Sequence, residues 1–228
     1  MAYFSDRIEA GKKLAIALKD FSSKNGVVLA IPRGGVVVAY EIAKAIGLPL
    51  DVIIPRKLGA PGNAELAIGA VAEDGTAILD NELVSYLGVS RSYIQEEIET
   101  QKQEIHRRLT LYRQQSSYPD LKGLDVIVVD DGIATGSTMK AALASVKNRG
   151  AASITVAIPV GPPSTIKELE KLADHVVCLY TPEYFQAIGQ FYSDFSQTED
   201  EEVVALLQQI KQKVKKGETK AWFTTNLN

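Results

Sequence analysis

Two adjacent carboxylates, Asp130 and Asp131, are followed at once by Gly132-Ile133-Ala134-Thr135-Gly136-Ser137-Thr138. Neighbouring like charges repel unless a cation or hydroxyl donors share them. Gly132 and Gly136 let the backbone turn and present its N–H groups, and Thr135, Ser137 and Thr138 add hydroxyls. A helical pattern then runs to about Asn148, so the loop opens onto a helix N-terminus, where unpaired N–H groups and the macrodipole favour an anion. A phosphate cradle beside two acids suits a phosphorylated sugar, which brings both a phosphate and a vicinal diol, with Mg²⁺ as the accompanying cation. No Gly-Lys-Ser/Thr follows, so this is not a Walker loop, and it is not a Gly-x-Gly-x-x-Gly dinucleotide turn.

Two further strand ends carry residues for anion chemistry. Arg33 lies between Pro32 and Gly34-Gly35 and can offer its guanidinium together with neighbouring backbone N–H groups. Arg56-Lys57 follows a short apolar run. Glu65 is the one acid in the segment 58–66, and is read as a weaker catalytic candidate. His106, in a charged helix, and His175, before a strand, are read as non-functional. Cys178 alternates with Val177 and Leu179 in a strand and is read as core. Tyr184, Phe185, Phe191, Tyr192 and Phe195 read first as packing for the C-terminal segment, and second as a wall for a flat base.

Placing these residues together takes a parallel sheet. Val27–Ile31, Val52–Ile54, Val126–Val129, Ile154–Ile158 and Val176–Tyr180 are short runs rich in β-branched residues, as buried parallel strands are. Helical stretches alternate with them: Asp6–Lys19 capped by Ser5, Val36–Ile46, the one ending near Asn148, Ser164–Leu172, and Thr198–Lys215 with Thr198 and Glu201 spaced as a capping box. The expected fold class is therefore α/β, an open parallel sheet of about five strands flanked by helices. Ligands bind beyond the carboxyl ends of such strands, which puts the three candidate segments along one edge. Gly59, Pro61, Gly62 and Asn63 make Leu58–Leu66 read as a mobile loop able to act as a lid. Asp74-Gly75 reads as a hairpin turn, and Ser92–Gln115 as a long helix with Ile94, Ile98, Ile105, Leu109 and Tyr112 on one stripe.

The 228 residues suit one large domain. We expect residues 1–216 to form it, with a small hood from about 58–115 and 182–216, and 217–228 to be a loose tail. With 25 basic and 28 acidic side chains, net charge −3, nothing favours general nucleic-acid binding. A single cysteine excludes an intrachain disulfide framework and a multi-cysteine zinc site. Early charges at Asp6 and Arg7 do not fit a signal peptide, and Arg33, Glu41, Lys44 and Asp51 interrupt the longest apolar region. A cytoplasmic location is expected.

Val126-Ile-Val-Val-Asp-Asp-Gly-Ile-Ala-Thr-Gly-Ser-Thr138 resembles the signature by which type I phosphoribosyltransferases bind 5-phosphoribosyl 1-diphosphate (PRPP). The resemblance implies that Asp130 and Asp131 hold the ribose hydroxyls and that Ala134, Thr135, Gly136, Ser137 and Thr138 bind the 5′-phosphate. It implies that Arg33 and Gly34 form the pyrophosphate loop, and that Arg56-Lys57 corresponds to a basic pair ahead of a mobile catalytic loop. Pro32–Gly35 and Arg56–Asn63 are similar to a bacterial group of predicted phosphoribosyltransferases. Ala134 stands where hypoxanthine-guanine enzymes carry an acid, and no lysine follows Lys57 in the loop. The implied activity is Mg²⁺-dependent transfer of phosphoribose to a nitrogen acceptor with release of pyrophosphate. Asp130, Asp131, Arg56, Lys57 and Glu65 are the catalytic candidates. Mg²⁺ would be held mainly through PRPP and water, with Asp130 and Asp131 as candidate protein ligands. The alternative is a non-catalytic PRPP-sensing regulator of the same fold. Expected partners are PRPP and a small nitrogen-containing acceptor, with a homodimer allowed and neither nucleic acid nor membrane.

Overall fold

Strands that are apolar on both faces must be covered on both, and the computed structural model, which describes residues 3–19, 25–114 and 120–215, shows that covering. The main sheet has five parallel strands: β1 (Gly26–Ala30), β2 (Leu50–Val52), β6 (Asp125–Val129), β7 (Ser153–Val160) and β8 (His175–Tyr180). Their spatial order is β2-β1-β6-β7-β8. Val28 and Ala30 of β1 pack with Ile127 and Val129 of β6 under α1 (Arg7–Ala17), α2 (Gly34–Ile46) and α7 (Asp200–Lys215). Val27 and Leu29, alternating with them, pack on the other face against α5 (Ser137–Asn148) and α6 (Pro163–Leu169). Period-two alternation thus serves two separate cores from one strand. Parallel pairing of Ala30 with Val129 brings the ends of β1 and β6 side by side, and these are the strands that feed the Arg33 turn and the acidic pair.

A second, antiparallel sheet has the order β3-β4-β5, formed by β3 (Arg56–Ala60), β4 (Asn63–Val71) and β5 (Ala77–Leu79). This corrects the reading of Leu58–Leu66 as an irregular loop. Pro61-Gly62 is a two-residue turn, with Ala60 paired to Asn63 and Gly62 at φ +73°. Proline presets the first turn position and glycine accepts the positive φ of the second. The register shifts at Gly59, where a Cβ would stand 2.8 Å from Ala64 Cα, so glycine is what lets the strands close there. The Asp74-Gly75 turn forms, with Thr76 N–H donating to Asp74 Oδ1 at 3.0 Å. Two helices follow, α3 (Asn81–Tyr86) and α4 (Arg91–Arg113). On α4, Ile105 and Tyr112 are buried and Ile94, Ile98 and Leu109 pack beside them, so the apolar stripe faces the core.

Several boundaries differ from the sequence reading. Asp6, not Ser5, caps α1, its carboxylate accepting from Glu9 N–H at 2.7 Å. β2 lies two residues earlier than Val52–Ile54, because Leu50, Asp51 and Val52 pair with Val28, Leu29 and Ala30. The last helix begins at Asp200, with Val203 N–H bonded to Glu199 C=O, so the Thr198/Glu201 spacing misses the cap. Gln115 and the 217–228 tail lie outside the described residues. Among the described residues no helix is long and apolar enough to cross a membrane.

Behind the second sheet lies a buried charge network that the sequence did not announce. Arg113 at the end of α4 meets Asp51 of β2 at 3.2 Å and Glu73 at 3.5 Å, and Arg149 meets Glu73 at 2.9 Å. Glu73 Oε2 is buried without a hydrogen bond. Burial pushes Glu73 up from 4.5 to about 8, against the pull of both arginines. A carboxyl whose folded pKa is raised binds its proton more tightly when folded. Its contribution to stability is therefore complete below about 4.5 and is lost as pH rises through about 8. Denaturant unfolding across this window should show the wild type losing stability relative to Glu73→Gln. A pH-independent difference would contradict the assignment.

Candidate functional site

The acidic pair follows β6 directly, and its surroundings come from four parts of the chain. Asp131 N–H donates to Asp130 Oδ1 at 2.8 Å, folding the first carboxylate back over the turn. Asp131 Oδ2 accepts from Arg7 Nε of α1 at 2.7 Å. Tyr192 Oη donates to the Asp131 carbonyl at 2.6 Å. Burial and the charge of Asp131 push Asp130 well above the usual carboxylate range. Burial also raises Asp131, while Arg7 pulls the other way. Two acids that resist ionising together are poised for a ligand that donates hydroxyl protons or carries a cation.

The Arg33-Gly34-Gly35 turn is pressed against this pair. A Cβ on Gly34 would fall 1.9 Å from Asp131 Oδ2, and one on Gly35 would lie 3.0 Å from Asp130 Cα. Glycine at position 34 is therefore required by contact, and a side chain at position 35 would press tightly on the Asp130 backbone. Gly34 also opens α2, so the helix N-terminus points its first N–H groups into the same corner. Arg33 lies 3.6 Å from Glu199 and 3.8 Å from Asp200 at the start of α7.

The loop after the acids has the form expected of a cradle. Gly136 caps α5 at φ +75°, and Ser137 starts that helix. Thr135 and Ser137 hydroxyls are 3.2 Å apart. The loop is braced from outside: Thr165 of α6 donates to Ala134 C=O at 2.7 Å, and Ile133 N–H bonds Val160 C=O at 2.9 Å. Ala134 and Thr135 remain exposed, and Thr138 half-buried.

The basic pair lies on β3. Arg56 donates from Nε to Gln101 Oε1 of α4 at 3.0 Å, and burial and Arg108 both lower its pKa. Lys57 is exposed. Glu65 lies on the exposed first half of β4, its N–H bonded to Asn63 Oδ1 at 3.2 Å. His106 is exposed, and the Cys178 thiol is pushed up to about 11 by burial, as suits a group outside the chemistry. The aromatic segment packs: Tyr3 stacks on Tyr180 and Phe191, and Phe4 and Tyr192 are in contact. Beside it, Tyr3, Pro182, Glu183, Tyr184, Gln190 and Phe191 line a cavity of about 460 Å³.

Sequence reasoning missed Arg7 and Gln101, and it gave Tyr192 no contact with the acidic pair. Each is an ordinary residue type in its own segment, and only long-range packing makes it part of the site. Among the described residues no three His, Cys, Asp or Glu side chains form a metal cage. The donor set offers hard carboxylate oxygens from Asp130 and Asp131, which fit Mg²⁺ only if ligand oxygens and water complete its shell.

A family model, the phosphoribosyl transferase domain, matches residues 6–196. The chain belongs to the phosphoribosyl transferase family. Two strains of Mycobacterium tuberculosis have proteins provisionally named phosphoribosyl transferase that are 44% identical to it over 207 residues, 91% of this chain. That match is 47% of their length, so the chain spans about half of the curated relatives it matches. Among solved structures, TT1426 from Thermus thermophilus superposes with a TM-score of 0.78 at 42% identity, covering 92% of this chain and 99% of that one. The five-stranded parallel sheet with helices on both faces is that of the type I phosphoribosyl transferases.

Proposed function

We propose that this phosphoribosyl transferase domain takes PRPP with Mg²⁺ and transfers 5-phosphoribose to a nitrogen acceptor, releasing pyrophosphate. The observation that carries the reading is the contact of the Gly34-Gly35 turn with Asp130 and Asp131 beside the Ala134–Thr138 loop. One corner thereby brings together a diol acceptor and a second helix N-terminus, with the phosphate-cradle loop following the acids directly.

In this reading Asp130 and Asp131 accept from the ribose hydroxyls, and Ala134 to Thr138 hold the 5′-phosphate. Arg33 and the Gly34 N–H meet the diphosphate, with Arg56 and Lys57 adding positive charge from β3. Bound through ligand oxygens and water, Mg²⁺ would supply neutralising charge to the diphosphate. The bond from the anomeric carbon of the sugar to the diphosphate oxygen breaks, its electron pair leaving with pyrophosphate, and the acceptor nitrogen forms the new bond to that carbon. Positive charge grows on the sugar as the bond breaks, so the fixed carboxylates and the cations around the leaving group act most strongly at that moment. Closure of the β3–β4 hairpin would exclude water. We place the acceptor beside the aromatic segment 184–195, which adjoins the acidic pair through Tyr192.

Incubation with PRPP, Mg²⁺ and a panel of purines, pyrimidines and amines, followed by pyrophosphate detection, tests the reading. Arg56→Ala should lower turnover by roughly tenfold or more beyond any loss in PRPP affinity, because demand for positive charge peaks in the transition state. Weakened binding alone, with no acceptor releasing pyrophosphate, would mark a PRPP sensor instead. Ala134 favours adenine-like or non-purine acceptors, and rapid turnover of guanine would contradict that preference.

A further inference from the structure

Arg7 occupies an unfavourable place by local rules. It is the first residue of α1, where the helix dipole disfavours a cation, and the Asp6 cap is already engaged with Glu9 N–H. Its compensation is distant in sequence. Nε donates to Asp131 Oδ2 at 2.7 Å, Nη1 donates to Ser196 C=O at 2.7 Å, and the guanidinium lies 3.8 Å over the Phe195 ring. The paired side chains are only 11% and 13% exposed. A planar group fixed at two edges and one face has a single orientation, so its acid partner has one too.

We propose that Arg7 is a positioning residue of the ligand site, acting through Asp131; this rests on the reading that Asp131 receives the ribose hydroxyls of PRPP. Two facts about Asp131 make a partner necessary. Its neighbour Asp130 is a second acid packed against it, its Oδ1 accepting from the Asp131 N–H at 2.8 Å, so the direction of the Asp131 carboxyl is not set by that neighbour alone. Its Oδ2 also sits where a Gly34 Cβ would be, in a slot that Arg7 Nε shares at 2.6 Å from that same point. Arg7 thus pins Oδ2 against the α2 turn and fixes the direction in which the Asp131 carboxyl faces. Phe195 and Ser196 hold Arg7 in turn, so the end of the segment after β8 supports the acidic pair through Arg7.

The test is a double-mutant cycle on the affinity of PRPP with Mg²⁺, measured by calorimetry. Arg7→Gln should weaken binding about tenfold in the native background and by less than about twofold in Asp131→Asn, the non-additivity expected of residues acting as one unit. Arg7→Lys, which keeps the charge but loses the fork, should recover part of the affinity. Equal losses in both backgrounds would overturn the proposal, as would Arg7→Lys behaving no better than Arg7→Gln. An independent readout needs no ligand: the nitrogen-15 resonance of Arg7 Nε–H should be sharp and shifted in the native protein and change in Asp131→Asn. An unchanged resonance counts against the proposal. If the native protein fails to bind PRPP, the functional reading falls, and the pairing of Arg7 with Asp131 is judged on that resonance.

Discussion

Replacing both site acids, Asp130→Asn with Asp131→Asn, should abolish measurable Mg²⁺-dependent PRPP binding, an effect of at least about a thousandfold. Neutral amides are poorer acceptors for the ribose diol and hold a hydrated cation less well. The double change also leaves Arg7 without its carboxylate, because Asp131 Oδ2 is its partner at 2.7 Å. Since neither acid belongs to any of the buried apolar clusters, the variant should remain folded. Calorimetry beside a melting curve checks both halves. Native-like affinity in the folded variant would sink the assignment of the acidic pair.

Gly34→Ala should be nearly as damaging although it adds one methyl group. That methyl would lie 1.9 Å from Asp131 Oδ2 and 2.6 Å from Arg7 Nε, so the carboxylate must move by about 1 Å or more. Misplacement on that scale costs on the order of a hundredfold in a reaction that depends on orientation. The expected result is a comparable fall in kcat/KM for pyrophosphate release with little change in melting temperature. By contrast, Gly47→Ala, at a helix end with open space around it, should affect stability and leave kinetics alone. Native kinetics in Gly34→Ala would show that the turn does not press on the ligand-bound acid.

The parts of this site that were legible in the sequence are those whose signal is local. Val126–Val129 reads as a buried strand because every position is apolar, and Asp130–Thr138 reads as an anion loop because acids, glycines and hydroxyls are contiguous. The strand forms over Asp125–Val129, and the loop opens onto α5 at Ser137. The β3–β4 hairpin was not legible, because Gly59, Pro61, Gly62 and Asn63 are individually poor strand formers. Its pairing is imposed by α4, where Tyr93 Oη donates to Gly59 C=O at 3.0 Å and Gln101 accepts from Arg56. Tertiary packing overrides propensity most easily in such segments. Ser5 failed as a cap for a different reason: Asp6, next to it, is an equally good capping residue, and pattern alone does not choose between adjacent candidates. Arg7 carried no signal because its partners, Asp131 and Ser196, are 124 and 189 residues away.

Those separations govern when the site comes into being. Closing so long a loop costs little more than closing a medium one, since the entropy grows only with the logarithm of length. Time is affected more than stability. During synthesis the acidic pair emerges long before Phe195 and Ser196, so for that interval Asp130 and Asp131 are adjacent charges with Arg7 unanchored. A nascent chain therefore gains no help from ligand until the segment after β8 has docked. Binding competence should appear as the last event of refolding, after the helical signal has recovered.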